Sequence, residues 1–217
     1  MIDNFIFSST ASVYGDPSGE LVTTSTPLVP TNPFGWSKLM AEKFLYDCAA
    51  HAGIGVTIFR YFNFSGADPD TELGMRVENQ THLIPRSIEA AEKGTTFSIF
   101  GNDYDTRDGT CVRDYIHVWD IAAAHIAAIN SPLEPGRVRK FNIGLGRGNS
   151  VLEVLDSVER ITSSKVNVQV KGRRSGDVAK LVSGDSSELS NALGWKAQFT
   201  EIDDIVRHVW NWYCIND

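Results

Sequence analysis

The feature that most constrains the fold is an alternation of short apolar runs with segments of helical period. Residues 5–8 and 56–62 are rich in β-branched and aromatic side chains, which is typical of buried strands. Residues 37–52 between them predict a helix that stops at Gly53, a residue suited to left-handed backbone. This order of strand, helix and strand predicts an α/β fold with parallel strands. The expected apolar stripe of that helix consists of Met40, Phe44, Leu45, Cys48 and Ala52.

Further helices are predicted downstream. Residues 83–93 form one that ends at Gly94, and residues 121–130 are so uniformly apolar that we expect a buried helix. Ser150 and Glu153 form a capping-box pattern ahead of another helix. No repeat, low-complexity tract or break in composition divides the chain. We therefore expect residues 1–217 to form a single interlocked unit.

Composition excludes several classes of function. With 27 acidic and 20 basic residues the formal charge is -7, which repels phosphate backbones and argues against nucleic-acid partners. No apolar run approaches the ~20 residues of a membrane span, so no membrane partner is expected. The N-terminus carries no targeting signal and the three cysteines are scattered, which favours a reducing cytoplasm. The five histidines show no metal-ligand spacing, so no metal is expected.

A dinucleotide-binding loop of the form G-x-G-x-x-G does not occur in the printed sequence. Gly144, Gly146 and Gly148 lack both its spacing and its position between a strand and a helix. The sequence therefore predicts no cofactor-binding residues.

Six segments, taken together and in this order, carry a resemblance to a known family. They are FSSTASVYGD (7–16), PTNPFGWSKLMAE (30–42), FRYFN (59–63), IFGNDYDTRDGTCVRDYIHVWD (99–120), FNIGLGRGNSV (141–151) and GRRSGD (172–177). The chain resembles the extended short-chain dehydrogenase/reductase superfamily, and within it the UDP-glucose 4-epimerase branch.

That resemblance implies an NAD-holding Rossmann domain and a smaller lobe for UDP-sugar, of which this chain resembles the last two thirds. The expected fold is α/β, a partial Rossmann-like sheet lacking its N-terminal strands plus the α/β substrate-binding lobe. Residues 1–62 and 110–148 would come from the NAD domain, interleaved with 63–109 and 149–217 from the lobe. NAD is the family's cofactor, but none is expected for this chain because the glycine-rich loop has no counterpart.

The resemblance also implies the catalytic positions. In the family a tyrosinate removes the proton of the sugar hydroxyl, a lysine four residues later stabilises it, and a serine or threonine shares the proton network. Thr10 matches the hydroxyl and Lys38 the lysine, but Phe34 stands at the tyrosine position. Because a phenyl ring has no ionisable proton, both matching residues are expected to be vestigial. Two alternatives remain, a turn cap for Thr10 and a solvated side chain for Lys38.

The positions implied for UDP-sugar binding look better preserved. Two of the implied residues, Arg113 and Arg174, would clamp a diphosphate, unless these arginines form internal salt bridges with Asp114 or Asp177. Phe64 and His82 depart from the family pattern, in which proline and asparagine stand there. The implied binding residues are Asn63, Leu83, Ser98, Phe100, Arg113, Tyr115, Arg174 and Asp177.

Three functions are therefore open: a UDP-sugar-binding pseudoenzyme with a regulatory or scaffolding role, an epimerase completed by a separately supplied NAD-binding domain, and an interaction module with a vestigial pocket. The strand at residues 5–8 would lie at an uncovered sheet edge in any of them. We expect a homo-oligomer, such as a dimer, or a protein partner to cover it. In the resembling family the helix that carries the lysine packs in the dimer.

Overall fold

The structure is a computed structural model that describes residues 2–76, 80–184 and 187–216. The strands are β1 (Asn4–Thr10), β2 (Gly55–Tyr61), β3 (Asn63–Ser65), β4 (Thr96–Phe100), β5 (Val112–His117), β6 (Val138–Ile143), β7 (Gly148–Ser150), β8 (Asn167–Lys171) and β9 (Lys180–Leu181). The helices are α1 (Pro33–Ala52), α2 (Leu83–Lys93), α3 (Val118–Ile129), α4 (Val151–Thr162), α5 (Ser187–Leu193) and α6 (Ile202–Asn216). A 3-10 turn, Ala11–Tyr14, follows β1.

The first sheet has the strand order β1, β2, β6, and both pairs are parallel. Asn4 lies opposite Gly55, and the pairing continues to Thr10 opposite Tyr61. Within the described ranges β1 pairs with β2 alone, so it is an edge strand. The predicted α/β fold with a partial parallel sheet is confirmed.

Helices cover both faces of this sheet. On one face α1 packs Ala49 against Val56 and Ile58. On the other, α3 and α5 pack against Phe59 and Phe141. Side chains of β2 pack alternately against the helix on one face and the helices on the other, because neighbouring residues of a strand point to opposite faces.

The second region is built around a core to which α2, α4 and α6 contribute together with β4 and β5. Here β5 pairs in parallel with β3 and β9 and antiparallel with β7, while β4 pairs in parallel with β8. Ser150 begins α4 with the predicted capping box, in which Glu153 takes the reciprocal part. The predicted helix at residues 83–93 is also confirmed, and Gly94 ends it with a φ of 63°.

Two of the helices beside the first sheet, α1 and α3, differ from their predictions. α1 begins at Pro33 because the Asn32 side chain accepts from the Gly35 amide and caps the helix. Its predicted apolar stripe is partly on the surface, since Met40 and Phe44 are 64% and 67% exposed. The prediction that the helix at 121–130 is buried is wrong. It packs through Ala124 and Ala128, while other apolar residues face outward, among them Ile126 (59%) and Ile129 (65%).

A buried polar network joins α1 to the first sheet. The Arg60 guanidinium donates to both carboxylate oxygens of Glu42, at 3.0 and 2.6 Å, and both side chains are 1% exposed. Arg60 also donates to the Tyr14 hydroxyl (2.9 Å), which donates to Asn142 (2.7 Å). Ser9 donates to Glu42 at 2.5 Å. The network therefore fixes the turn after β1 relative to α1, β2 and β6.

Among the residues that the structure describes, no helix combines the length and the apolarity needed to cross a membrane.

Candidate functional site

Two neighbouring cavities contain the predicted site residues. The first, here called the Lys38 cleft, opens where β1 and β2 end, the edge at which parallel α/β sheets commonly bind ligands. Its lining residues are Ser8, Ser9, Thr10, Phe34, Lys38, Tyr61, Phe62, Asn63, Phe64 and His82. Thr10 and Lys38, the two residues predicted as vestigial catalytic residues, therefore share one cleft with Phe34, which stands at the tyrosine position.

The ammonium group of Lys38 is held in place. It donates to the Ser8 carbonyl (3.0 Å) and lies 5.1 Å from the centre of the Phe7 ring and 5.9 Å from that of Phe34. Lys38 is half-buried, so this contact orders the ammonium group, and the choice between a vestigial and a solvated lysine stays a prediction. Phe34 itself is 56% exposed and offers only a hydrocarbon ring.

Thr10 has a local structural task. Its Oγ1 accepts from the Ser12 amide at 3.1 Å and donates to the Ser12 hydroxyl at 3.2 Å, which caps the 3-10 turn. The alternative that Thr10 caps a turn is confirmed, and the residue also faces the cleft.

The cleft contains a phenol that the sequence did not suggest. The Tyr61 hydroxyl lies 3.0 Å from Ser8 Oγ and 2.9 Å from His125 Nε2. In the neutral imidazole, His125 Nδ1 donates to the Ile121 carbonyl 2.9 Å away, and Nε2 then accepts from Tyr61. Burial raises the pKa of Tyr61, although the bond to Ser8 opposes this. Tyr61 is therefore a neutral donor whose proton is already bonded.

The second cavity, here called the arginine pocket, lies between β4, β5, α2 and the loop before β9. Seven of the eight predicted binding residues line it. Its lining residues are Thr81, Leu83, Arg86, Phe97, Ser98, Ile99, Phe100, Cys111, Arg113, Tyr115, Val151, Arg174 and Asp177.

Asn63 is the predicted residue that lies elsewhere. It lines the Lys38 cleft, directly opposite Tyr115 in the pairing of β3 with β5. Likewise His82 lines the cleft while its neighbour Leu83 lines the pocket. The two cavities therefore share a wall made by these two pairs.

The two predicted arginines do not form the internal salt bridges considered as an alternative. In the part of the chain that the structure describes, neither Arg113 nor Arg174 makes an ion pair. The Asp114 carboxylate instead accepts three backbone amides, those of Leu145, Gly146 and Ser183. Burial raises the pKa of Asp114 to about 6 against these donors.

The guanidinium carbon of Arg174 lies 3.5 Å from the centre of the Phe100 ring. Arg113 donates to the Val112 carbonyl at 3.0 Å, which leaves most of its donors unused. Because Arg174 covers one face of Phe100, a base near this ring must contact its edge or its other face. Both guanidinium groups are available to an anionic ligand.

Sequence reasoning missed Arg86, a third arginine of this pocket. It lies three residues after Leu83 in α2, a spacing that places both residues on one side of the helix. That spacing is the signal by which the sequence could have indicated it.

The glycines after β6 do not form a site for the phosphates of a dinucleotide. Gly144, Gly146 and Gly148 surround Asp114: a Cβ at Gly144 would lie 2.6 Å from its Oδ2, and Gly148 pairs with it across β5 and β7. These glycines therefore hold a carboxylate, whose negative charge disfavours a pyrophosphate. They do not fit an NAD phosphate loop.

Within the described ranges no group of three or more His, Cys, Asp and Glu side chains could hold a metal ion. Cys48, Cys111 and Cys214 are free thiols.

Comparison with known proteins gives a consistent result. The profile of a family described as the NAD dependent epimerase/dehydratase family matches residues 1–144. The chain belongs to this family. A UDP-glucose 4-epimerase of Rhizobium meliloti is 41% identical over 213 residues, and one of Halalkalibacterium halodurans is 38% identical over the same length. Each alignment covers 98% of this chain and 64% of the relative, so the chain spans about two thirds of the relatives' length.

Solved structures of related proteins have the same fold. The UDP-glucose 4-epimerase of Bifidobacterium longum in complex with NAD+ and UDP superposes with a TM-score of 0.92 at 39% identity, covering 99% of this chain and 64% of that one. The enzyme of Stenotrophomonas maltophila with NAD and formylated UDP-arabinopyranose gives 0.90 at 34% identity, with the same coverage. The predicted resemblance to UDP-glucose 4-epimerases is confirmed.

Proposed function

We propose that this chain binds UDP or a UDP-sugar in the arginine pocket and carries out no epimerisation, acting as a regulatory or scaffolding pseudoenzyme. The observation that carries the proposal is the pair Arg113 and Arg174, two guanidinium groups without carboxylate partners in the described structure, in a pocket that adjoins a cleft with Phe34 at the family's base position. Forked guanidinium donors suit phosphate oxygens. Asp177, in the same pocket, would accept from ribose hydroxyls.

The wall shared by the arginine pocket and the Lys38 cleft supports a ligand with two parts, a nucleotide and a sugar. A nucleotide in the arginine pocket would direct its sugar past Asn63 and Tyr115 into the Lys38 cleft. Structures of relatives were determined with UDP and with a UDP-sugar derivative, which agrees with this choice of ligand class.

We propose a site without catalytic activity because phenylalanine, Phe34, stands at the position of the family's general base. Removing a sugar hydroxyl proton needs a general base, and loss of such a base costs ~10²–10⁴-fold in rate. Phe34 supplies none, and the neutral Tyr61 already donates to His125. NAD would supply the hydride acceptor in this family, but the glycines of this chain hold Asp114 instead. We therefore propose Thr10 and Lys38 as vestigial and no cofactor for the chain.

Titration calorimetry with UDP and UDP-glucose tests the binding proposal. We expect saturable binding that Arg113→Met and Arg174→Met each weaken about 10- to 100-fold, the range for losing a charged hydrogen bond. Arg147→Met is the matched control, because Arg147 is 62% exposed and pairs with Glu201 outside the pocket. Absence of heat at millimolar ligand would leave only a scaffold role.

A second candidate is an epimerase whose NAD-binding domain is supplied separately. It is favoured by the NAD bound in the related structures and by the 64% of their length that this chain spans. The test is interconversion of UDP-glucose and UDP-galactose by the purified chain with NAD, alongside Phe34→Tyr. Turnover by the unaltered chain would overturn the pseudoenzyme proposal. Because this candidate needs a separately supplied domain, the assay is repeated with the NAD-binding domain of a relative added. No turnover by either protein in the two assays, with UDP still bound, would support the pseudoenzyme proposal.

We further propose that a second copy or another protein covers the edge of β1 in the cytoplasm. The apolar side chains exposed beside the first sheet support this, namely Met40 and Phe44 on α1 and Ile126 and Ile129 on α3. A pure interaction module would use the same surface without its pocket. A pure interaction module would still bind its partner after substitution of both Arg113 and Arg174.

A further inference from the structure

Arg86 is a basic residue of the arginine pocket that the proposed clamp does not use. It is half-buried, and its guanidinium carbon lies 5.5 Å from the centre of the Phe97 ring. Its side chain makes no hydrogen bond or ion pair with any residue that the structure describes. Holding a guanidinium partly buried without an anionic partner costs desolvation energy, which a polar ligand would offset.

The position of Arg86 separates it from the clamp. Arg174 lies over Phe100 at the end of β4, whereas Arg86 lies over Phe97, near its start. Phe97 and Phe100 are three residues, or ~10 Å, apart along this strand, and this odd spacing turns their side chains to opposite faces. The two guanidinium groups therefore contact different rings at different places.

The surroundings of Arg86 also differ from those of the clamp. Leu83, Phe97 and Val151 line the pocket here, and all three present apolar side chains. A flat heterocycle fits apolar walls with a few placed polar groups, whereas a diphosphate does not.

We infer that Arg86 reads the base of the bound nucleotide by donating to a ring carbonyl, such as O2 or O4 of uracil. This rests on the proposed function, because it takes the diphosphate to lie at Arg113 and Arg174. A guanidinium has donors only, so it rewards a carbonyl and rejects a base edge that presents an amino group. Uracil offers two carbonyl acceptors, whereas adenine offers only ring nitrogens, two of which flank its amino group. Arg86 would then be a specificity-determining residue that favours UDP over ADP.

The experiment is calorimetry with UDP, ADP and inorganic pyrophosphate on the unaltered chain and on Arg86→Met, which keeps an apolar stem. We expect Arg86→Met to weaken UDP binding about tenfold or more, consistent with loss of one charge-assisted hydrogen bond, and to leave pyrophosphate binding within about twofold. The preference for UDP over ADP should fall by the same factor. Arg113→Met should weaken UDP and pyrophosphate together.

Arg207→Met is the control, since Arg207 pairs with Asp204 away from the pocket, and circular dichroism checks that each variant folds. Equal loss of UDP and pyrophosphate affinity in Arg86→Met would show a general electrostatic effect and overturn the inference. Unchanged UDP affinity would do the same while leaving the proposed function intact. If the unaltered chain does not bind UDP, the proposed function fails with it.

Discussion

At the scale of single residues, the sequence predicted which side chains meet but not their surroundings. Motif positions placed seven residues in one pocket, although they are scattered over nearly a hundred positions of the chain. The same reasoning could not place Asn63 in the neighbouring cleft, because that depends on the pairing of β3 with β5. Nor could it show that the pair of Glu42 and Arg60 is fully buried, since neither residue stands out in a hydrophobic pattern.

That buried pair leads to a prediction about stability. Glu42→Gln leaves the Arg60 charge buried without compensation, which typically lowers the free energy of unfolding by ~3–5 kcal/mol. Glu89→Gln is the control, because Glu89 pairs with Lys93 at the surface and such pairs contribute about 0.5 kcal/mol. Urea unfolding followed by circular dichroism measures both. Equal effects of the two substitutions would contradict the assignment of Glu42 as a buried counter-ion.

At the scale of elements, helix ends were predictable where a local rule fixes them, and helix faces were not. Gly53 and Gly94 ended their helices as predicted, since left-handed backbone is a local preference. The burial of α1 and α3 depends on which elements lie beside them, which apolar periodicity does not specify. Met40 and Ile126 are exposed for this reason. Packing of β5 against α6 was likewise outside the sequence pattern.

The contact between β5 and α6 contains a pair of histidines, and this pair leads us to expect that the stability of the fold depends on pH. His117 Nδ1 accepts from the Trp119 amide and caps α3, so Nε2 carries the proton and donates to His208 at 2.9 Å. Burial and the neighbouring His208 lower the pKa of His117 to about 4 from 6.5. Below pH 6.5 the unfolded chain therefore binds a proton that the folded chain does not, and stability falls as pH decreases toward 4. The raised pKa of Asp114 acts in the opposite direction in part of this window.

The His117→Asn variant isolates this effect, because asparagine also caps helices but does not titrate. We expect it to lose less stability between pH 7 and pH 5 than the unaltered chain does, as measured by urea midpoints. His51→Asn, on the exposed end of α1, should behave like the unaltered chain. A pH dependence that persists in His117→Asn would place its origin elsewhere.

At the scale of the whole molecule, the resemblance predicted the fold class, and the comparisons confirm it. The single interlocked unit remains a prediction. The edge strand follows from the strand order, in which β1 has one neighbour in the described ranges. Its sequence, NFIFSST, has neither charge nor proline to discourage pairing. What covers such an edge lies outside the described residues, so their sequence does not specify it.

The prediction at this scale concerns assembly. Light scattering at micromolar concentration should give a mass above that of a monomer, or the chain should co-purify with a partner. Phe44→Glu and Ile126→Glu should each weaken the assembly, because they put charge on the uncovered faces of α1 and α3. Leu73→Glu is the control, a 73% exposed leucine in the loop before α2. A monodisperse monomer without any partner would count against the proposal.

Lys38 gives the open edge a further property. The Asp3 carbonyl accepts from the Gly55 amide, so in this parallel ladder the odd residues of β1 face β2 and the even ones, including Ser8, face outward. The outward carbonyl of Ser8 is the one that Lys38 binds. A strand that adds to β1 would donate to this same oxygen, which has two lone pairs and can accept from both groups. The Ser8 carbonyl is thus the atom at which the open edge of the sheet and the cation of the cleft meet.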